Sequence, residues 1–86
     1  MLPILYGGRL VARFDPKLDR ATRTLLINGL WLETPALAED VRFVSALARG
    51  LRRFKQFLRA QSIDLSAVKT APAEAKLAKQ LKTQLR

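Results

Sequence analysis

The order of apolar and polar residues predicts strands in the first third of the chain. A short apolar run, Pro3 to Tyr6, is followed by Gly7-Gly8 and then by an alternating run from Arg9 to Phe14. Two consecutive glycines suit a tight hairpin, because both central residues of a primed turn adopt positive φ. The alternation predicts a half-buried strand with a basic outer face. Its inward residues are expected to be Leu10, Ala12 and Phe14.

A further apolar run follows a break in this pattern. Asp15-Pro16 and the polar residues up to Arg20 predict a turn, because proline has no amide hydrogen to donate to a sheet. From Thr24 to Leu32 apolar residues occupy both faces, which is typical of a central strand that is covered on both sides. Gly29 within this run indicates a bulge or a close approach of other backbone. We therefore predict a three-stranded meander.

The middle of the chain has helical periodicity. Thr34-Pro35 matches an N-cap followed by proline at the first helical position, and the pattern continues to about Ala60. Apolar residues recur at spacings of three and four along one stripe, and arginines gather opposite it. The stripe consists of Val44, Leu47, Leu51, Phe54 and Leu58. The arginines opposite it are Arg42, Arg49, Arg52 and Arg53.

The last third of the chain predicts one more helix. Residues Ser62 to Thr70 fit a fourth strand or part of a helix, and we favour an extended segment because the residue before Pro72 avoids helical geometry. A C-terminal helix is predicted from Pro72 to about Leu85. The fold class is therefore α+β: a small antiparallel sheet of three to four strands, a long helix packed on it and a C-terminal helix. We expect residues 1–86 to form a single domain.

Charge and composition narrow the range of functions. Sixteen Lys and Arg residues oppose seven Asp and Glu residues, which gives a formal net charge of +9. A domain this basic attracts polyanions, nucleic acid before anionic membrane. The chain contains no Cys and no His, which excludes zinc fingers, thiolate nucleophiles and imidazole bases. We expect no metal, no cofactor, no signal peptide and no membrane span, and a cytoplasmic location.

The candidate phosphate contacts fall into two groups of cations. All six charged residues from Arg42 to Arg59 are positive, whereas solubility alone would allow mixed signs. Arginines on such a helix can pair with phosphate oxygens, and the alternative is a solvated helix face. The other group lies on the first hairpin and the turn after it, where cations could instead discourage edge-to-edge pairing of strands. The predicted nucleic-acid-binding residues are Arg9, Arg13, Lys17, Arg20, Arg42, Arg49, Arg52 and Arg53.

Some aromatic residues are candidates for an interface. Tyr6, Phe14 and Trp31 lie in apolar runs, so core packing is favoured over stacking on bases. Phe43 and Phe57 stray from the main helical stripe. Together with Trp31, they form the predicted interface with a partner domain or a second copy of the chain.

The chain offers little chemistry for catalysis. Asp15 and Asp19 are four residues apart in the predicted turn, where capping of the turn is favoured over metal binding or acid–base chemistry. Gly7-Gly8 lacks the remaining spacing of a phosphate-binding loop. An enzyme acting alone is therefore not expected.

A series of short motifs between Leu2 and Glu33 carries a family resemblance. The motifs are Leu2-Pro3, Leu5-Tyr6-Gly7, Arg9-Leu10-Val11, Arg13, Asp15, Lys17, Asp19-Arg20 and Trp31-Leu32-Glu33. In this order they resemble the carboxyl-terminal part of the winged-helix crosslink-repair DNA glycosylases, the AlkZ- or YcaQ-like proteins. Gly8 departs from the family, which usually has Asp there. The catalytic Gln-x-Gln motif of the family does not occur in this sequence.

The resemblance implies a β-rich domain that abuts winged helices and helps to frame a DNA-binding channel. It therefore implies an accessory DNA-binding or docking domain without glycosylase activity of its own, contacting the phosphate backbone non-specifically. The expected partners are double-stranded DNA and the winged-helix domains of a parent or partner protein, and a homodimer is possible. The alternative function is a protein-interaction or dimerisation module that binds no nucleic acid.

Overall fold

A computed structural model describes residues 1–68 and 71–85 and has the predicted α+β architecture. One sheet contains β1 (Leu2–Tyr6), β2 (Arg9–Asp19), β3 (Thr24–Leu32) and β4 (Ser62–Asp64), side by side in that order. A 3₁₀ helix (Pro35–Glu39) and α1 (Val41–Phe57) connect β3 to β4, and α2 (Pro72–Gln84) follows β4.

The sheet is mixed, whereas the sequence predicted antiparallel strands only. β1 with β2 and β2 with β3 are antiparallel pairs, but β4 pairs with β3 in parallel, Thr24 opposite Ser62. A parallel pair needs a crossover connection, and here α1 provides it. The last residues of the predicted extended segment, 69 and 70, lie outside the described residues, as does residue 86.

The turn predicted at Asp15-Pro16 is wrong, because β2 continues through it to Asp19. Asp15 pairs with Gly29 and Pro16 pairs with Ile27, so the register shifts by one residue at this point. A bulge interrupts the ladder of hydrogen bonds and thereby accommodates a proline within a strand. The predicted bulge near Gly29 is confirmed.

The turn between β2 and β3 lies at residues 20–23 instead. The Asp19 carboxylate accepts hydrogen bonds from the amides of Ala21 (3.0 Å) and Thr22 (3.4 Å). The capping role predicted for Asp19 is therefore confirmed, whereas the one predicted for Asp15 is wrong because Asp15 lies within β2 opposite Gly29.

A second irregularity explains why Leu10 departs from the predicted alternation. Leu5 pairs with Leu10, but the preceding residue, Ile4, pairs with Ala12, so Val11 is an extra residue in β2. Ala12 is buried as predicted, whereas Leu10 is 44% exposed. Because of the extra residue, the side chains of Leu10 and Ala12 point to opposite faces of the sheet, whereas a regular strand would place both on one face.

The long helix begins at Val41 and not at Pro35 as predicted. Thr34 and Pro35 open the 3₁₀ helix, and the Thr34 side chain makes no capping hydrogen bond. Asp40 is the N-cap of α1: its carboxylate accepts from the amides of the second and third helical residues at 3.0 and 3.2 Å. A negative charge at this end is also favoured by the helix dipole.

The core lies between one face of the sheet and the two helices. The predicted stripe of α1 packs there, with Val44, Leu47 and Leu51 buried, and α2 adds Leu77 and Leu81. No helix in residues 1–68 and 71–85 has the length and apolar character needed to cross a membrane.

The prediction that Phe43 belongs to an interface is wrong, because this residue lies in the core and is only 1% exposed. Its ring meets the ring of Tyr6 edge-on, with 5.4 Å between the centroids. The edge strand β1 extends the sheet sideways, so the buried arc of α1 is wider than the stripe predicted from the sequence. Phe43 therefore cannot contact a partner.

A buried carboxylate joins α2 to the end of β3. Glu74 is 8% exposed, and its Oε2 accepts a hydrogen bond from the amide of Leu32 at 3.2 Å. Glu74 lies in the first turn of α2, where the helix dipole favours negative charge. The ion pair between Lys76 and Glu39 (2.6 Å) fastens the same helix to the 3₁₀ helix.

Replacing Glu74 with alanine should lower the free energy of unfolding by about 1–3 kcal/mol, because the partly buried Leu32 amide loses its acceptor. Glu74→Gln keeps an oxygen at the same distance from the backbone and should cost clearly less. Urea denaturation followed by circular dichroism measures both. Equal losses of stability in the two variants would show that the hydrogen bond does not stabilise this contact.

Trp31 lies over Gly29 on the outer face of the sheet, the face that points away from the helices. A Cβ atom at Gly29 would lie 2.8 Å from Cζ2 and Cζ3 of the indole ring and would overlap Cη2. The close approach predicted at Gly29 thus exists, but it involves a side chain and not other backbone. Trp31 remains 42% exposed.

Gly29→Ala should push the indole ring of Trp31 away from the sheet and into solvent, which shifts its fluorescence emission to longer wavelength. The signal comes from this residue alone, because the chain has only one Trp. Gly50→Ala is the control, because a Cβ atom at Gly50 meets nothing within 4 Å. The control should leave the emission unchanged and stabilise α1 by about 0.5–1 kcal/mol. Unchanged emission in Gly29→Ala would contradict the packing of Trp31.

Candidate nucleic-acid interface

The outward face of α1 carries positive charge that no carboxylate of the described residues pairs with. Arg42, Arg49 and Arg53 are exposed there, opposite the apolar residues that face the core. Arg49 and Arg53 are one helical turn apart, so their like charges repel each other weakly. This face therefore presents a row of guanidinium groups to solvent.

An open depression of about 330 Å³ lies where the β2–β3 turn meets the end of α1. Arg20 and Arg23 reach it from the turn, and Arg59 reaches it from the residues that follow α1. The amide of Gln61 donates to the carbonyl of Arg23 at 2.7 Å and holds the two segments together. We call this depression the arginine pocket, and its lining is Leu18, Arg20, Arg23, Leu58 and Arg59.

A second open depression, of about 310 Å³, lies between the end of α1, β4 and α2. Its cations are Arg52, Lys55 and Lys82. The Arg52 guanidinium also donates to the backbone carbonyl of Gln84, which connects α1 to the end of α2. The two depressions border the same segment after α1, and we call their six cations the basic end. Its members are Arg20, Arg23, Arg52, Lys55, Arg59 and Lys82.

Two ion pairs involve carboxylates away from the basic end. Glu33 pairs with Arg13 at 3.6 Å, and Glu39 pairs with Lys76. A hydrogen bond from the Lys76 ammonium, together with its charge, lowers the pKa of Glu39 below its usual value. Among residues 1–68 and 71–85, no cation of the basic end lies within 4.0 Å of a carboxylate.

Asp64 is an acid that interacts with a cation of the basic end, Lys82. Hydrogen bonds from the Ser66 hydroxyl and amide lower the pKa of Asp64, and attraction to Lys82 adds to this effect. The Ser66 amide lies 2.8 Å from Oδ1. Asp64 is therefore ionised at neutral pH, but it does not line either depression.

The predicted contact residues separate into distinct places in the structure. All eight are exposed. Arg20 and Arg52 belong to the basic end, whereas Arg9 lies at the other end of β2, a strand of 11 residues that spans roughly 35 Å. Arg13 is held by Glu33, and Lys17 lies on β2 opposite Leu26. The remaining three, Arg42, Arg49 and Arg53, form the row on α1.

The predicted list of contact residues omitted several cations of the basic end, although Arg23, Lys55 and Arg59 belong to the two cation groups noted in the sequence. Arg23, Arg59 and Lys82 come from the turn, the end of α1 and α2, and only the tertiary fold brings these segments together. The signal in the sequence was the absence of acids between Arg42 and Arg59. That signal could not indicate which other cations lie beside them.

The two remaining candidates for the interface, Trp31 and Phe57, do not form one patch. Phe57 ends α1 and is 81% exposed, whereas Trp31 lies on the opposite side of the sheet. A second exposed apolar group is formed by Leu5 and Leu10, which face each other across β1 and β2.

Comparison with known protein families finds a match for this chain. The family model described as "DNA glycosylase AlkZ-like" matches residues 1–57, about two thirds of the chain. The matched residues include β1, β2, β3 and the whole of α1. No solved structure matches the chain. The family model agrees with the resemblance found in the motifs before Glu33, and the chain therefore belongs to the AlkZ-like DNA glycosylase family.

Proposed function

We propose that this chain is an accessory DNA-binding domain of a DNA-repair protein. It contacts the phosphate backbone through Arg and Lys and does not read the base sequence. The observation that carries this proposal is the display of cations on the outward face of α1 and at the basic end without carboxylate partners among the described residues. Membership in a DNA glycosylase family supports a nucleic-acid ligand over other polyanions.

The mechanism is neutralisation of phosphates with release of the counterions that DNA condenses around itself. Each phosphate that the protein neutralises contributes about −0.9 to the slope of log affinity against log salt concentration on duplex DNA. Four neutralised phosphates therefore give a slope of about −3.6. Such binding orients a protein on the duplex but carries no sequence information.

In this proposal the chemistry of base release belongs to another part of a parent or partner protein. Among the residues that the structure describes, none that lines either depression of the basic end has a carboxylate that could act as an acid, a base or a nucleophile. Winged-helix domains are the partner that the family resemblance implies. The chain would then add phosphate contacts to a channel that those domains form.

The duplex-binding test removes two cations from the outward face of α1. Arg49→Gln with Arg53→Gln should lower the magnitude of the salt slope by about 0.9 for each phosphate that is no longer neutralised, from about 3.6 to about 1.8. Glutamine preserves helix propensity, so the fold should be retained. Fluorescence anisotropy with a labelled duplex at several salt concentrations measures the slope.

The matched control removes two cations from α2, Lys76→Gln with Lys79→Gln, and lowers the net charge by the same amount. The slope of this control should stay near that of the unmodified chain, since these lysines lie outside both cationic surfaces. Absence of duplex binding at low salt would refute the proposed function. Equal slopes in the two double variants would show that only net charge matters.

A second candidate function is protein docking or dimerisation, and exposed apolar side chains favour it. Leu5 is 66% exposed and lies directly opposite Leu10 in the first hairpin, at the edge of the sheet. Phe57 is exposed at the end of α1. Isolated apolar residues are common on protein surfaces, but a facing pair on an edge hairpin is a typical docking contact.

If this hairpin docks against a second copy, the average mass in sedimentation velocity should rise with protein concentration. Leu5→Lys with Leu10→Lys should abolish that rise, because two charges would have to be desolvated at the contact. Phe57→Lys tests the other exposed apolar site and should leave the rise unchanged if the hairpin is the contact. A monomer at every concentration would count against dimerisation.

A further inference from the structure

We infer that the arginine pocket is a binding site for a single phosphate group, held by the guanidinium groups of Arg20, Arg23 and Arg59. The ligand class is a tetrahedral phosphate, either inorganic phosphate or a phosphodiester of DNA. The inference rests on the proposed function only if the bound phosphate is part of DNA. Binding of inorganic phosphate would establish the site independently of duplex binding.

The lining of the pocket has the chemistry that a phosphate requires. Three of its five residues are arginines, and the other two are leucines. A guanidinium group offers two parallel N–H donors to two oxygens of one phosphate, which makes arginine a specific partner for this anion. The leucines, Leu18 and Leu58, exclude water from part of the depression and so strengthen the attraction between opposite charges.

The nearest acid by sequence does not neutralise this site. Asp19 precedes Arg20, but its carboxylate accepts hydrogen bonds from the backbone of the turn and does not line the pocket. Among the described residues, none of the three arginines pairs with a carboxylate. The pocket therefore holds three positive charges that repel one another until an anion enters.

Two of these arginines adopt a backbone conformation that favours glycine. Arg23 has φ 55° and Arg59 has φ 57°, both in the left-handed region. Arg59 follows the C-cap of α1, where a left-handed residue is usually glycine. Arg23 ends the turn between β2 and β3, where glycine would also avoid the strain. Both residues with this strain line the same pocket, and strain that lowers stability is characteristic of positions retained for ligand binding.

The volume of the pocket is compatible with this ligand. About 330 Å³ lies at the lower end of the range of ligand pockets, roughly 300–1,000 Å³. The depression is open to solvent, so a phosphate that remains part of a polymer can enter without a change of fold.

The first arm of the test is titration of the full chain with inorganic phosphate at constant ionic strength, followed by NMR of the arginine side-chain Nε–Hε signals. Saturable shifts should be confined to Arg20, Arg23 and Arg59. Arg59→Gly and Arg23→Gly should each weaken phosphate binding about tenfold, because each removes charge-assisted hydrogen bonds. Lys79→Gln, an exposed lysine of α2 that lines neither depression, should change the affinity less than about twofold.

The glycine variants also exclude unfolding as the cause of weaker binding. Glycine relieves the left-handed strain, so both variants should have a higher Tm than the unmodified chain while they bind phosphate more weakly. Arg59→Lys keeps the charge but removes the two-pronged donor, and it should bind phosphate less well than the unmodified chain and better than Arg59→Gly.

The second arm uses a duplex without terminal phosphates. Competition between this duplex and inorganic phosphate, together with weaker duplex binding by Arg59→Gly, would assign the site to a phosphodiester. If the chain binds phosphate but Arg59→Gly does not change duplex binding, the site is assigned to free phosphate. That assignment holds independently of the result for the proposed function. The inference is overturned if phosphate gives no saturable shift, or if Lys79→Gln weakens phosphate binding as much as Arg59→Gly.

Discussion

Burial of the core on one side of the sheet determines where the charges of this chain can lie. Both helices occupy that side, and the apolar arc of α1 is used completely by the core, including Phe43 beside Tyr6. The charged residues of α1 therefore lie outside the core: Arg42, Arg49 and Arg53 on the outward arc, and Arg52 and Lys55 at the depression beside α2, since an unpaired buried charge costs several kcal/mol. Every charge in that arc is positive, so the packing that folds the chain also creates its cationic surface.

The sequence predicts those elements that follow from the spacing of apolar residues within one segment of the chain. The bounds of β3, Thr24 to Leu32, follow from an apolar run, and the structure confirms them. The helix start does not follow in the same way, because Thr34 and Asp40 both match an N-cap. The choice depends on tertiary packing: Ala38 of the 3₁₀ helix is buried in the core, which separates that segment from α1. Pro16 is a similar case, since a bulge can absorb a proline that would otherwise end a strand.

The candidate site depends still more on long-range structure. Composition and the run of arginines predicted an affinity for phosphate, and they identified the outward face of α1. They could not identify the arginine pocket, because Arg23 and Arg59 are far apart in the sequence and meet only when β4 brings the end of α1 beside the β2–β3 turn. Their left-handed conformations are a property of the fold as well. Local preference for glycine would have argued against arginine at both positions.

Under the proposed function, the row on α1 and the arginine pocket act on the same DNA. From Arg42 to Arg53 the helix advances about 17 Å, and successive phosphates of one strand are about 3.4 Å apart along the duplex axis. The row therefore spans roughly five phosphates, and the pocket lies beyond the end of α1. On that proposal, solvated arginines in the row would offset the negative potential of several phosphates without fixing any one of them. The guanidinium groups of the partly apolar pocket would select one phosphate, and that contact would set the register of the protein along the backbone while the bases remain unread.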